Sequence, residues 1–222
     1  MKRQSAGMAS FARQLACLLV AATLAASSMA GERVAAQRPE ADRNENLTGW
    51  LLVAAPRMRD PRFSRAVIFL AHHDDKGAFG LIVNRLISVR PAAKLLGDIL
   101  GEDAPDGNGG DEREIRIHYG GPVQPTHWNF IHSNDYTGSG TIVVTPKVSL
   151  TRNQEILRAL ANGKGPAKGF LAIGYAGWGP GQLEGEIKRK SWITVGPDDG
   201  IIFDNDMETK WQRAMDKRGV EL

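Results

Sequence analysis

A glycine-rich stretch in the C-terminal half constrains the fold of this chain more than any other feature. Residues 174–186 read GYAGWGPGQLEGE, with four glycines and Pro180 among the first eight positions. An apolar strand pattern, Phe170–Ile173, leads into the stretch, and Gln182–Arg189 has the pattern of a short helix. Glycine is used this densely where the backbone needs a positive φ or where another group approaches it closely. The stretch is therefore either a structural corner or a backbone site for an anion or small polar ligand.

The first thirty residues have the pattern of a secretory signal peptide. Lys2, Arg3 and Arg13 form a positive segment before an apolar run at residues 15–26, which is short for a membrane span, and residues 28–30 (SMA) offer a cleavage site. We predict a signal peptide at 1–30, a flexible linker at 31–46 and a folded domain at 47–222. The mature protein is then periplasmic or secreted, without a membrane anchor, and N-terminal sequencing of the mature chain tests this against an uncleaved anchor.

Charge and cysteine content narrow the class of function. The formal net charge is +3, which equals the contribution of Lys2, Arg3 and Arg13, so residues 31–222 carry no net charge. A neutral domain lacks the global positive field that nonspecific nucleic-acid binding uses, although local patches remain open. Cys17 is the only cysteine and lies in the leader, which leaves the mature domain without a disulfide, a thiolate nucleophile or a cysteine metal site.

The remaining pattern predicts one α+β domain, with a mostly antiparallel sheet curled into a partial barrel and helices around it. Strands are expected at 50–54, 66–71, 78–83, 115–119, 128–131, 141–144, 170–173, 192–195 and 201–203, the second and third forming a hairpin around a polar turn at 72–77. Helices are expected from Pro91 to about Leu100, after a capping box of Thr151 and Gln154, at 182–189, and at 208–218 before Gly219.

Four blocks of the sequence resemble the YqgE/AlgH family, in its order and spacing. The blocks are Leu51–Pro56 with Asp60–Phe63, His73–Asn84, Gly120–Val123, and Gly174–Ile187 with Trp192. The resemblance covers residues 50–220 and implies an α+β pseudo-barrel. Members are often labelled transcriptional regulators, on genetic association with alginate production, and the family name brings no established reaction or cofactor. Family members are typically cytoplasmic, which makes a cytoplasmic location the alternative to export for this chain.

Nucleotide chemistry does not fit the glycine-rich stretch. A Walker-type loop needs a lysine and a hydroxyl residue after its last glycine, and Gln182 and Leu183 stand there instead. The βαβ context of a dinucleotide fingerprint is also missing. The amide of Gln182, beside the backbone N–H groups of Gly179 and Gly181, could still meet a ligand that Trp178 covers.

Glu184 and Glu186 do not form a catalytic pair on a helix, because residues two apart point in different directions. Each has a lysine four residues later, Lys188 or Lys190, the spacing of solvent-facing ion pairs. Of the two, Glu184 is the better candidate for a functional residue because it is nearer the glycines. The sequence 72–75 (HHDD) puts its four metal-capable side chains on alternating faces of a hairpin, which favours a satisfied turn over a metal site.

Gly120 and Gly121, before Pro122, are either a backbone nest for an anion or a tight turn where strands cross. We hypothesise a non-enzymatic binding or regulatory domain, with a groove formed by His73, Asn84, the glycine pair and residues 178–184 that takes a peptide or small anionic ligand. A hydrolase or transferase using His73 and Glu184 as acid and base is the alternative, and a nucleic-acid-binding regulator is a third. No cofactor or metal is implied.

Overall fold

The fold is described by a computed structural model, which covers residues 46–102 and 113–218. The predicted signal peptide at 1–30, all of the predicted 31–46 linker except its last residue, and the helix stop at Gly219 lie outside the described residues. Within these ranges no helix is long and apolar enough to cross a bilayer. The chain forms the predicted α+β domain, in which a mostly antiparallel sheet curls into a half-barrel with short helices around it.

The described chain contains ten strands, five short α-helices and one turn of 3-10 helix at Pro61–Phe63. The strands are β1 Leu51–Ala54, β2 Val67–Asp74, β3 Gly77–Ile82, β4 Leu86–Pro91, β5 Glu114–Tyr119, β6 Val123–Ser133, β7 Thr141–Thr145, β8 Val148–Thr151, β9 Gly169–Trp178 and β10 Trp192–Val195. The helices are α1 Ala92–Leu100, α2 Glu155–Ala161, α3 Gln182–Lys188, α4 Asp199–Phe203 and α5 Lys210–Asp216. The strand order is β10-β1-β2-β3-β9-β6-β8-β7, with β4 paired to β5 and β5 lying parallel to β9.

Strand β9 organises the sheet, because it changes partners halfway along its length. Its first half lies between β5 and β6, and its second half pairs with β3. Gly174 marks the change, with φ of 69°. The predicted corner at 174–181 is therefore wrong in its first half: the strand runs through to Trp178, and the turn occupies only Gly179–Gly181. Apolar residues continue on both faces of β9, which supports the longer strand.

Several predicted elements need correction. The hairpin forms, but its strands extend through His72, His73 and Asp74, and the turn is only Asp75–Lys76. Residues 201–203 are helical in α4 because the Asp198 side chain accepts from the Ile201 backbone N–H and caps that helix. The predicted capping box at Thr151 is also wrong, because the Thr151 hydroxyl forms a hydrogen bond with His132 within the sheet. Strands β4 and β8 were not predicted.

One histidine, His118, lies in the interior of the sheet. His118 on β5 is fully buried and stacks on Phe170, with 4.3 Å between the ring centroids. Neither ring nitrogen of His118 makes a well-formed hydrogen bond with a described residue, and the backbone of Val83 only partly offsets the effect of burial on the His118 pKa. Burial, reinforced by the positive charges of Arg116 and Lys210, lowers the pKa of His118 to about 3. His118 therefore stays neutral in the folded protein.

This burial makes the domain sensitive to acid. Below pH 6.5 the unfolded chain binds a proton at His118 that the folded chain does not accept until about pH 3, so stability falls as the pH falls through this window. We expect His118→Leu to flatten the dependence of unfolding free energy on pH by about 1.4 kcal/mol per pH unit between pH 6 and 4. Urea denaturation at several pH values measures the slope. His127→Leu, at an exposed histidine, is the matched control, and equal slopes for all three proteins would contradict the prediction.

Candidate functional site

The glutamates of α3 face the body of the protein, which corrects the predicted solvent-facing ion pairs with Lys188 and Lys190. Oε1 of Glu184 lies 2.9 Å from Nε2 of His73 on β2. One carboxylate oxygen of Glu186, Oε2, accepts from the indole N–H groups of Trp178 at 2.9 Å and Trp192 at 2.7 Å. Three strands, β2, β9 and β10, are thus joined to α3 through two carboxylates.

The contact between His73 and Glu184 is an internal tie. The His73 side chain is 4% exposed, and its Nδ1 accepts the backbone N–H of Leu47 at 3.0 Å. The ring proton must therefore sit on Nε2, which donates to Glu184. Burial tends to raise the pKa of the Glu184 carboxyl, but hydrogen bonds from its own backbone N–H and from His73 outweigh burial and lower that pKa. Both imidazole nitrogens are occupied, so the geometry gives no support to the hydrolase or transferase alternative.

Asn84 and the glycine pair lie apart from this tie. The Asn84 amide accepts the backbone N–H of Val67 at 2.9 Å and donates to the carbonyl of Arg65 at 2.8 Å, so it holds the loop before β2. A Cβ added to Gly120 would lie 2.4 Å from the carbonyl oxygen of Gly174, and one added to Gly121 would lie 2.2 Å from the carbonyl carbon of Tyr175. The glycine pair therefore packs against the change of partners in β9, as a crossing of strands requires.

The remaining predicted residues meet at the N-terminal end of α3. Gln182 Oε1 accepts the Gly179 backbone N–H at 3.1 Å, and its Nε2 donates to Glu186 at 3.0 Å. Gly181 precedes α3 with φ of 69°, and a Cβ there would meet no atom within 4 Å. Trp178 and Gln182 line an open groove, together with the segment between β1 and β2. The structure thus brings together Trp178, Gly179, Gly181, Gln182 and Glu184 at one end of α3, but not Asn84.

The groove, which we call the cationic groove, has a volume of about 940 Å³. It is lined by the 57–63 segment, by Val123 of β6 and Trp178 of β9, and by several residues between 182 and 192. The cations lining it are Arg57, Arg59, Arg62, Arg189 and Lys190. The two acids lining it are Asp60 and Glu186. This local excess of positive charge lies in a stretch of chain, residues 31–222, that carries no net charge.

Both acids of the cationic groove are already engaged. Asp60 accepts from Nε and Nη2 of Arg62, with the shortest contact at 2.7 Å, and this hydrogen bonding lowers the pKa of the Asp60 carboxyl. Glu186 is held by the two indoles. The other four cations of the groove form no ion pair with a described residue; these are Arg57, Arg59, Arg189 and Lys190. The groove therefore presents unneutralised guanidinium and ammonium groups.

These cations were not among the predicted site residues. The predicted groove was assigned to the polar blocks that interrupt buried strands, whereas three of the five cations come from the segment 56–65 (PRMRDPRFSR) and two, Arg189 and Lys190, follow α3. Four arginines in ten residues were the available signal. Phe63 of this segment packs edge-on against Trp192, with 5.5 Å between ring centroids. This contact places the arginines beside α3.

The protein is thus a single α+β domain with a half-barrel sheet. It has a buried hydrogen bond between His73 and Glu184, and an open cationic groove beside α3. A family model described as AlgH-like matches residues 51–222, so the chain belongs to the YqgE/AlgH family. Among similar proteins is a UPF0301 protein of Rhizorhabdus wittichii, 40% identical over 81% of this chain and 94% of its own. Another, from Cereibacter sphaeroides, is 38% identical over 79% of this chain and 94% of its own.

Solved structures share the fold. The solution structure of the AlgH protein from Pseudomonas aeruginosa is 32% identical and superimposes with a TM-score of 0.66, covering 80% of this chain and 92% of its own. The crystal structure of protein DIP2367 from Corynebacterium diphtheriae is 20% identical, with a TM-score of 0.60 over 80% of this chain and 90% of its own. The second likeness shows the fold alone. Within residues 46–102 and 113–218, no three His, Cys, Asp or Glu side chains cluster closely enough to hold a metal ion.

Proposed function

We propose that this protein is a non-enzymatic binding domain whose cationic groove takes an acidic, extended peptide segment. The observation that carries the proposal is the charge of the groove: five cations face two acids, and both acids are satisfied internally by Arg62 and by two indoles. An acidic ligand would complement the excess of positive charge. The groove is open to solvent, which favours an extended segment over an enclosed metabolite.

The aromatic residues of the groove favour a peptide over single-stranded nucleic acid. Base stacking needs an exposed aromatic face. Trp178 and Trp192 are 7% and 3% exposed, and they pack edge-to-face on each other with 5.9 Å between ring centroids. Phe63 covers another side of Trp192. With the indole faces and N–H groups occupied inside the protein, the groove offers charge and shape, but no stacking platform from its tryptophans.

The same contacts argue for binding without catalysis. A general base needs a free lone pair within reach of the reacting proton. In the groove, the carboxylate of Asp60 is occupied by Arg62, and that of Glu186 by the indoles and Gln182. Glu184 and His73, an acid and an imidazole that pair at this end of α3, form the internal tie and do not line the groove. Binding therefore uses the chemistry that the groove leaves available.

Fluorescence anisotropy tests the proposal with a labelled (Glu-Ala)5 peptide, the neutral (Gln-Ala)5 peptide and a dT12 oligonucleotide. We expect the acidic peptide to bind and the neutral one to bind at least about tenfold more weakly. The double variant Arg57→Gln/Arg189→Gln should weaken acidic-peptide binding about tenfold, because each exposed charge contributes roughly 0.5–1 kcal/mol. Lys94→Gln/Lys164→Gln removes two exposed charges outside the groove and should change the affinity less than about twofold.

Three results would contradict the proposal. Equal binding of the acidic and neutral peptides would remove charge as the basis of recognition. Unchanged affinity in the groove variant would place the peptide elsewhere on the domain. Tighter binding of dT12 than of the acidic peptide, lost in the groove variant, would make the groove a nucleic-acid site.

A further inference from the structure

Strand β6 carries a four-residue bulge opposite Gly174. Val123 pairs with Tyr175 and Trp128 pairs with Ile173, so residues 124–127 of β6 stand opposite a single residue of β9. Gln124 begins this bulge with φ of 49°, in the left-handed region that non-glycine residues rarely adopt. Such strain costs about 1–2 kcal/mol, and bulges of this kind redirect side chains beside binding sites. The bulge pushes four residues out of the sheet.

The bulge forms one wall of a polar pocket on Arg152, which follows β8. Nε of Arg152 donates to Oδ1 of Asn129 at 2.5 Å, and its guanidinium carbon lies 4.8 Å from the ring centroid of Phe79. Asn129 is 2% exposed, so this amide is a fixed, buried partner. No described acid lies within ion-pair distance of Arg152, and its four terminal N–H groups have no hydrogen-bond partner among the described residues. One edge of the guanidinium is held, and the forked edge is open.

The pocket around this guanidinium has a volume of about 210 Å³. Gln124 and His127 from the bulge, Gln154 before α2 and Tyr175 of β9 supply further polar groups. We propose that the pocket, which we call the Arg152 pocket, binds a small polar monocarboxylate of the size of a hydroxy acid or an amino acid. The carboxylate would receive two parallel hydrogen bonds from the guanidinium, and the neighbouring amides would meet the hydroxyl or amino group.

Charge and size select this ligand class. The pocket contains one arginine, no carboxylate, and otherwise neutral groups or histidine, which complements one negative charge better than the two of a phosphate dianion. Its volume lies below the roughly 300–1,000 Å³ of pockets for drug-sized ligands, so only a small molecule fits. Asn129 and Phe79 already hold the arginine side chain in place, so it loses little conformational freedom when a ligand binds. This low entropic cost allows a ligand with few atoms to bind.

Nuclear magnetic resonance tests the Arg152 pocket on the full domain. Sodium lactate, acetate and phosphate are titrated separately while the Arg152 Nε–H and the backbone amides of residues 124–127 are observed. We expect saturable shifts of these signals with lactate, in the millimolar range for a ligand of so few atoms. Acetate should bind more weakly because it lacks the hydroxyl, and phosphate more weakly because of its charge.

Variants of Arg152 distinguish the contribution of the planar guanidinium to lactate binding from that of its positive charge. Arg152→Gln should abolish the saturable shifts, and Arg152→Lys, which keeps the charge but not the planar fork, should weaken lactate binding at least about fivefold. Asn129→Ala removes a positioning residue and should weaken binding while leaving the charge in place. Arg57→Gln/Arg189→Gln, in the cationic groove, should bind lactate like the parent protein. Absent shifts, equal binding by Arg152→Lys, or phosphate binding as tight as lactate would overturn the proposal.

Discussion

Replacing Gly174 with alanine should destabilise the domain by more than about 4 kcal/mol, which is a large part of the stability of an ordinary domain. Gly174 has φ of 69°, and a Cβ at this position would lie 2.3 Å from the carbonyl oxygen of Gly121 and 3.1 Å from that of Val123. Both neighbours are backbone atoms of the strand crossing and have no side-chain freedom with which to move away. The alanine therefore forces β6 away from β9 at the point where β9 changes partners.

Gly181→Ala is the matched control for this substitution. Gly181 has the same φ of 69°, but a Cβ there would meet nothing within 4 Å. Only the conformational cost remains, which is about 1–2 kcal/mol for a left-handed alanine. Urea denaturation of the two variants beside the parent protein measures both costs, and near-ultraviolet circular dichroism reports whether Gly174→Ala still packs. Equal costs for the two variants would mean that the crossing has room for a side chain.

This pair also shows how far the glycine-rich stretch could be interpreted from sequence. The density of glycine correctly indicated positive φ and close approach, and both occur. It did not distinguish Gly174, which touches another backbone, from Gly181, which faces open space, because the distinction depends on the distant Gly121. The turn was placed five residues too early, since a strand can pass through a single left-handed glycine without ending.

Elements with a strong local signal were the most predictable. α1 ends at Gly101 in the left-handed conformation, and the hairpin of β2 and β3 forms where apolar runs flank a polar segment. Residues 201–203 were the opposite case, because an apolar run of three residues fits a strand or a helix equally well. The cap from Asp198 and packing in the core decide for the helix.

The contacts of the predicted site residues depend on tertiary structure. His73 and Glu184 were both among those residues, yet the hydrogen bond between them joins positions far apart in the chain and could not be derived from spacing. The lysines four residues after Glu184 and Glu186 suggested solvated pairs by a rule that considers only the helix itself. The partners of the glutamates lie on β2, β9 and β10, and tertiary contacts override that rule.

Replacing Glu186 with leucine should destabilise the domain by about 3 kcal/mol. Its carboxylate accepts from three donors, the indoles of Trp178 and Trp192 and the amide of Gln182. Leucine removes every acceptor and its side chain limits the access of water, so two indole N–H groups lose their partner at roughly 1–3 kcal/mol each. Glu186→Gln keeps one carbonyl oxygen for the indoles and should cost only about 1 kcal/mol.

Urea denaturation with tryptophan fluorescence measures these costs. Glu208→Leu, at an exposed glutamate before α5, makes the same chemical change and should alter stability by less than about 0.5 kcal/mol. A small loss for Glu186→Leu, comparable to that of Glu208→Leu, would show that the indoles find water in the cationic groove. We instead expect the Glu186→Leu variant to be much less stable than the Glu186→Gln variant, because Glu186 is a hydrogen-bond acceptor within the structure. Since its carboxylate is bound to groups of the protein itself, the positive charge of the groove remains free for a ligand.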